Sequence, residues 1–213
     1  LWLAVFFGSG SQACLRHSGA EMDSAALIQL AQTTLRSPRA AARMIAALPL
    51  GREVIWTSLA LVAALNALLI SAMFVIAPPA IALPSYFQST LVLFALLAGL
   101  MLLYVHALSW VGRALGGQGA AAPLLAAVVW LQALRLCAQL GILLLTMALP
   151  PVALLASFVV TFWGLWILLN FVAELLHLPG LFHAAAVLAG AALGVLLGLG
   201  LLLSLIGLTA QGV

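Results

Sequence analysis

A long apolar stretch with one proline hinge constrains the fold of this chain more than any other feature. It runs from Pro123 to Leu176 and is hinged at Pro150 and Pro151. Two consecutive prolines cannot continue a helix, because they lack N–H donors and clash with the preceding turn. Each arm is long enough to cross a bilayer, since a helix needs about 20 apolar residues to do so. The stretch therefore predicts a transmembrane helical hairpin.

The scarcity of charge excludes a water-soluble fold. Hydrophobic residues make up 67% of the 213 residues and charged residues 5%, whereas a soluble domain carries roughly 25% charged residues. Lipid must therefore be the main solvent. The seven basic residues, all Arg, and four acidic residues give a net charge of +3. This is too little positive charge for the extended basic face of a nucleic-acid-binding protein, so we expect no nucleic-acid partner.

The hydropathy pattern predicts an all-α fold, a polytopic membrane bundle of five transmembrane helices preceded by an amphipathic interfacial helical segment. The spans cover about residues 54–76, 87–111, 123–148, 152–176 and 184–206. The transmembrane domain is predicted at residues 53–207, the interfacial segment at 24–52 and a short C-terminal tail at 208–213. Two interpretations of residues 1–23 stay open: an irregular tail, or sequence upstream of a true start at Met22.

The interfacial segment is predicted to contain two short helices. Asp23 or Ser24 can cap the first, and Ser37 followed by Pro38 marks the start of the second. In the first helix, one face is predicted to carry Leu27, Ile28, Ala31 and Leu35. In the second, the predicted apolar side carries Ala40, Met44, Ala47 and Leu48. Short Arg-bearing amphipathic helices of this kind lie in the headgroup plane.

Arginines cluster on one side of the predicted membrane domain. Four of them form a predicted basic face toward the lipid surface: Arg36, Arg39, Arg43 and Arg52. Arg113 falls on the same side after two crossings, and the loops of the other side contain no Lys or Arg. The positive-inside rule therefore predicts a cytoplasmic N-terminus and a C-terminus outside the cytoplasm.

Polar side chains inside the spans are predicted to form an intramembrane cluster. Its members are Asn66, Gln132, Arg135, Gln139, Asn170 and Glu174. Because Arg135 and Glu174 differ in depth by roughly 13 Å, we expect Arg135 to contact Asn170, with Asn66 as a further candidate partner. Two interpretations stay open: hydrogen bonds that hold the bundle together, or the polar pathway of a small-solute transporter or channel.

The motifs of enzymes and cofactor sites do not occur in the sequence. Glu174 and His177 have a Glu-x-x-His spacing, but a di-metal carboxylate bundle needs two such motifs and two further carboxylates. The glycine-rich segment 116–119 lacks the Lys and Ser/Thr of a phosphate-binding loop, so we predict a flexible connector. We expect no catalytic residue, metal or cofactor.

The last span carries two overlapping Gly-x-x-x-Gly units formed by Gly190, Gly194 and Gly198. In lipid, small residues at this spacing let helix backbones approach closely and drive association. We predict a helix-packing face here, used either within the bundle or against a second protein.

Three short motifs, in this order and with five spans, resemble the Yip1-domain membrane proteins. Residues 36–43 are similar to the family's Pro-basic-x-x-aromatic helix, residues 115–119 to its Gly-Gly-Lys-Gly connector, and residues 163–177 to the fourth span of bacterial members. Gln118 stands where Lys is common and Ala42 where an aromatic residue is common, so headgroup contacts by those side chains are not carried over.

The resemblance implies no catalytic activity. Eukaryotic members are linked to vesicle trafficking, small GTPases and membrane shaping. An Ala, Leu, Gly and Arg bias without Lys is typical of a bacterium with GC-rich coding. We therefore expect a non-enzymatic membrane scaffold or partner-binding subunit in the bacterial inner membrane. Its expected partners are the lipid bilayer and other membrane-protein subunits or a second copy.

Overall fold

The computed structural model of the chain describes residues 24–76 and 89–205, and these residues form seven α-helices. They are α1 (Ser24–Arg36), α2 (Pro38–Ala47), α3 (Arg52–Ile76), α4 (Thr90–Ala114), α5 (Ala121–Ala148), α6 (Pro150–Leu175) and α7 (Leu181–Leu205). Helices α3 to α7 are the five that length and composition allow to cross a membrane. The predicted all-α, five-span architecture is thereby confirmed.

Some predicted boundaries lie outside the described residues. These are the tails at 1–23 and 208–213, the start of the second span at 87 and the end of the fifth span at 206. The second span ends at Ala114, three residues beyond the predicted end.

The hinge lies where the two prolines predict it. Leu149 follows the last residue of α5 and precedes Pro150, the first residue of α6. Its N–H donates to the carbonyl of Leu145 at 2.8 Å, and its own carbonyl accepts from the N–H of Ala153 at 3.0 Å. Proline suits the first turn of a helix because the N–H that it lacks has no helical partner there. A single residue between the helices thus reverses the chain.

The five long helices form a ring. Around it, α3 packs against α4, α4 against α7, α7 against α6, α6 against α5, and α5 against α3, while α4 and α5 also touch across the ring. Successive helices run in opposite directions. We call the end where α3, α5 and α7 begin the proximal end of the bundle, and the opposite end the distal end.

Packing between the helices of the chain is concentrated in the proximal half. Leu108, Leu124 and Phe171 lie there and are at most 1% exposed. In the distal half of α6, by contrast, Leu154 and Phe162 are 61% and 69% exposed. Apolar side chains can remain exposed there because lipid tails are as apolar as leucine. The proximal half is therefore a packed core, and the distal half presents its helices to lipid.

Helices α1 and α2 pack against this proximal core, α2 directly on α5 and α6. Their buried residues are Leu27, Leu30 and Thr34 of α1 and Pro38, Ala41, Ala42 and Ile45 of α2. The predicted apolar faces are not the faces that turn to the bundle, because Ile28 and Leu35 of α1 and Met44 of α2 are 56%, 50% and 46% exposed. Small residues let helix backbones approach closely, so α2 turns its paired alanines to the bundle.

The connector between α4 and α5 is held in place rather than flexible. Gly116 has a φ of 86°, and the Gly117 N–H donates to the carbonyl of Gly112 at 2.8 Å, the geometry of a helix C-cap that glycine favours. The next N–H, of Gln118, donates to the carbonyl of Leu176 at 3.1 Å. The prediction of a flexible connector was wrong, because this backbone bond ties the loop to the end of α6.

The end of α6 has the same capping geometry without glycine. His177 has a φ of 53°, and the Leu178 N–H donates to the carbonyl of Ala173 at 2.9 Å. Leu176, just before the cap, is fully buried. A Cβ at Gly119 would overlap the carbonyl oxygen of Leu175 and lie 2.8 Å from Leu176 Cδ2. The lack of a side chain at Gly119 therefore lets the connector reach the end of α6.

We predict that Gly119→Ala destabilises the protein by about 1–3 kcal/mol, the usual cost of overpacking a well-filled site. The added methyl group meets backbone, which cannot move aside as a flexible side chain would. Thermal unfolding in a mild detergent measures the effect. Gly51→Ala is the matched control, since a Cβ there has nothing within 4 Å. Equal unfolding temperatures for the two variants would contradict the close contact.

Candidate functional site

Three side-chain contacts fix α1 and α2 to the bundle, and we call them together the clasp. They are Trp130 to Thr34, Arg39 to Asn170, and Arg43 to Glu174. Each joins the N-terminal helix pair to the proximal half of α5 or α6. The clasp is the site where polar side chains of α5 and α6 contact the N-terminal helices.

The most deeply buried contact of the clasp joins α1 to α5. The indole Nε1–H of Trp130 donates to Thr34 Oγ1 at 3.1 Å, and Thr34 in turn donates to the carbonyl of Leu30 at 2.8 Å. Trp130 is 6% exposed and Thr34 fully buried. Neither residue was predicted from the sequence. A tryptophan within an apolar run was the available signal, because a buried indole N–H needs an acceptor.

The second contact uses the amide of Asn170 in α6. Its Oδ1 accepts a hydrogen bond from Arg39 Nε at 3.1 Å, and its Nδ2 donates to the carbonyl of Trp166 at 2.8 Å. Asn170 is 6% exposed, so both ends of its amide are satisfied in a site with little access to solvent. Hydrogen bonds to charged groups contribute about 1.5–3 kcal/mol, and this one anchors α2.

The third contact lies nearer the surface. Arg43 Nε and Glu174 Oε1 are 3.6 Å apart, and the side chains are 69% and 25% exposed. Ion pairs with this much exposure contribute about 0–1 kcal/mol, because solvent screens them. The pair therefore aligns α2 with the last turn of α6 more than it stabilises the fold.

The structure divides the predicted intramembrane cluster. Asn170 contacts Arg39 and not Arg135, because α2 folds back over the proximal end of α6. Asn66 is also engaged elsewhere, since its Nδ2 donates to the carbonyl of Val62 in its own helix at 2.9 Å. The expected pairing of Arg135 with Asn170 was therefore wrong.

The three polar residues of α5 share a face but not the clasp. Arg135 is exposed, whereas Gln132 and Gln139 on either side of it are half-buried. Of the six predicted cluster residues, Asn170 and Glu174 belong to the clasp. Asn66 forms its hydrogen bond within α3. The three residues of the α5 face do not take part in the clasp.

The arginines of the predicted basic face all lie at the proximal end and are all exposed: Arg36, Arg39, Arg43 and Arg52. Two of them combine this exposure with a clasp contact. Arg113, at the end of α4, is also exposed, and its Nε donates to the carbonyl of Ser109 at 3.2 Å. Positive charge is thus concentrated around the clasp.

The three glycines of the predicted helix-packing face on α7 have different environments. A Cβ at Gly190 would lie 3.1 Å from Val111 Cγ1 of α4, so this position packs within the bundle. At Gly194 and Gly198 a Cβ would have nothing within 4 Å, and both residues are exposed. The proximal glycine is used for packing inside the protein, and the other two face outward.

Glu174 and His177, which have the Glu-x-x-His spacing of metal-binding helix bundles, do not act together in this structure. Glu174 pairs with Arg43, while His177 caps α6 beyond its last helical residue and is exposed. Within residues 24–76 and 89–205, no group of three His, Cys, Asp or Glu side chains is placed to hold a metal ion.

The motifs that resemble Yip1-domain proteins meet in space. Arg39 lies in the first motif and contacts Asn170 in the third, while Gln118 in the second contacts Leu176, also in the third. Comparison with protein families gives a match between the chain and the Yip1 domain over residues 33–205. The chain belongs to the Yip1 domain family.

The family match begins at the end of α1 and extends to the end of α7, so it includes the whole clasp. Comparison with curated proteins and with solved structures returned no match. The family is therefore shown by the match to the Yip1 domain. The fold is shown by the geometry of the chain itself.

We predict that Thr34→Val loosens the α1–α2 pair. The substitution keeps the shape of the side chain but leaves the indole N–H of Trp130 without its acceptor, at a cost of about 1–3 kcal/mol. Tryptic cleavage after Arg36 and Arg39 should become at least about fivefold faster, since cleavage tracks the population of the opened form.

The neighbouring residue provides the matched control. Thr33 Oγ1 donates to the carbonyl of Gln29 in its own helix at 2.8 Å, and Thr33→Val should leave the cleavage rate near that of the wild type. In a Trp130→Phe background, Thr34→Val should add little, because the bond is already absent. Equal cleavage of the two threonine variants would show that the bond to Trp130 does not hold α1.

Proposed function

We propose that this protein is a non-enzymatic Yip1-type membrane scaffold that associates with other membrane helices. The observation that carries the proposal is the outward glycine face of α7, formed by Gly194 and Gly198, which has open space where a neighbouring backbone could pack. Close packing of small residues is a main driving force for helix association in lipid, where the hydrophobic effect between helices is absent. The associating helix belongs to a second copy or to another membrane subunit.

The contacts of the clasp favour a scaffold function over the function of a small-solute transporter. A transporter would aim its polar groups at a substrate near mid-membrane, often from broken helices. Here Asn170 and Glu174 instead hold α2 against the proximal end of the bundle, and α3 to α7 are continuous over their described lengths. Asn170 and Glu174 thus serve the protein's own structure.

We further propose that the proximal end faces the cytoplasm of a bacterial inner membrane. The five arginines at that end, including Arg113, favour this orientation under the positive-inside rule. Helices α1 and α2 then lie at the cytoplasmic headgroups, with Arg36, Arg39, Arg43 and Arg52 near the phosphates. The N-terminus is cytoplasmic and the C-terminus periplasmic in this arrangement.

The association is tested by Gly194→Leu. A leucine side chain would fill the open space on α7, so the amount of chain crosslinked to a partner in native membranes should fall at least severalfold. Thermal unfolding in detergent should stay unchanged, because Gly194 packs against nothing within the bundle. Mass spectrometry of the crosslinked product distinguishes a second copy from a different protein.

Gly141→Leu is the matched control, because Gly141 lies in a membrane span, is exposed and likewise has open space around it. It should leave crosslinking at the wild-type level. Equal loss in both variants, or none in either, would remove the special role of the α7 glycines.

The orientation is tested with single cysteines in a chain whose Cys14 and Cys137 are replaced by Ser. A membrane-impermeant maleimide should label Leu149→Cys in intact cells, since this hinge residue is 54% exposed at the distal end. Ser37→Cys, which is exposed at the proximal end, should be labelled only after lysis. The reverse pattern would invert the proposed topology.

A further inference from the structure

Arg135 is an exposed cation inside a membrane span. It lies on α5, and the two partners that the sequence indicated for it, Asn170 and Asn66, are bonded to other groups. An ionisable side chain in a span costs at least about 2.5 kcal/mol unless it pairs or reaches the interface. Arg135 must therefore pair with an anion from its surroundings, extend to the interface, or do both.

The depth of Arg135 follows from the helical hinge. Trp130 lies twenty residues before Pro150, which corresponds to about 30 Å of helix, the thickness of the hydrocarbon. Trp56 and Trp110 stand near the proximal ends of α3 and α4 and are 47% and 71% exposed, as expected for an interfacial aromatic belt. The proximal hydrocarbon boundary thus lies near Trp130, and Arg135 is about 7.5 Å inside it.

We expect the side chain of Arg135 to lean toward that boundary. Side chains in a helix lean toward its N-terminus, and α5 runs from the proximal to the distal end. Arg135 is at the middle of the 28-residue α5, so its charged group gains the interface only by extending its long stem through apolar surroundings. We expect the guanidinium to extend toward the proximal headgroups.

No carboxylate in the described part of the chain can supply the counter-charge at this depth. Glu174 pairs with Arg43 in the last turn of α6, and Glu53 stands in the first turn of α3, at the proximal edge. The abundant anion at the hydrocarbon boundary is the phosphate of a phospholipid. Gln132, one turn nearer the boundary on the same face and half-buried, adds amide N–H donors.

We propose that Arg135 and Gln132 form a binding site for the phosphate of an anionic phospholipid in the proximal leaflet. The guanidinium supplies the charge and the amide a second donor, so a phosphate oxygen can be held by each. Arginine suits this ligand because its planar donor fork matches phosphate geometry. The site concerns a lipid ligand and does not depend on the association proposed for α7.

Native mass spectrometry of the full chain in a neutral detergent, titrated with phosphatidylglycerol, tests the site. We expect the wild type to bind one lipid tightly and Arg135→Gln to bind it at least about tenfold more weakly, since a charged hydrogen bond is lost. Arg135→Lys should bind with an affinity between those of the wild type and Arg135→Gln, because lysine keeps the charge and also extends to the interface but lacks the planar donor fork. Gln132→Leu should weaken binding severalfold.

Arg113→Gln is the matched control, because it removes an exposed arginine from the same end of the bundle without touching the α5 face. It should leave the tight lipid in place. Thermal unfolding of every variant, measured in the same detergent, shows whether the chain is folded. If Arg135→Gln does not fold, the Gln132→Leu and Arg135→Lys titrations decide.

Three outcomes would overturn the proposal. One is equal phosphatidylglycerol affinity in the wild type and folded Arg135→Gln. A second is displacement of the lipid by millimolar inorganic phosphate, which would make the site one for the free anion. The third is a membrane protein that co-purifies with the wild type and is lost in Arg135→Gln, while lipid binding is unchanged. That result would assign the counter-charge to a partner helix.

Discussion

The proximal end of the bundle depends on the last two turns of α6. Within lipid there is no hydrophobic force to hold one helix against another, so specific contacts must do this work. Asn170 and Glu174 hold α2, and the carbonyl of Leu176 holds the connector before α5. One helix end thereby joins three segments that are far apart in the sequence.

Because of this arrangement, the two halves of the molecule along the membrane normal differ in their packing. The proximal half contains seven helices and the buried core, while the distal half consists of five spans with large exposed apolar side chains. The clasp and the exposed arginines of α1 to α4 also lie in the proximal half. Protein contacts therefore dominate one leaflet and lipid contacts the other.

The sequence predicted the elements better than their contacts. The five spans and the hinge follow from composition and from two prolines, which act locally and cannot be overridden by packing. The buried face of α2 was missed, because Ala40 and Ala41 look alike in a hydropathy pattern and only the neighbouring helix decides which one it covers. The short α2 offers apolar residues on more than one side.

The clasp was the least predictable part of the site. Asn170 was recognised as a polar group needing a partner, but matching depths within the spans pointed to Arg135, since α2 was expected to lie apart in the headgroup plane. His177 as a helix cap was equally hidden, because a left-handed residue there is commonly glycine. Polar residues in the spans thus indicate that a hydrogen bond must form, but they do not identify the partner residue.

The long separation within the clasp has a consequence for how the chain assembles during synthesis. Arg39 and Asn170 are 131 residues apart, so at roughly 5–20 residues per second the ribosome needs on the order of 10 s to make the second after the first. Helices α1 and α2 emerge before every span that they pack against. They must wait at the membrane surface until α6 is made, and its arrival completes the clasp with the segment that was synthesised first.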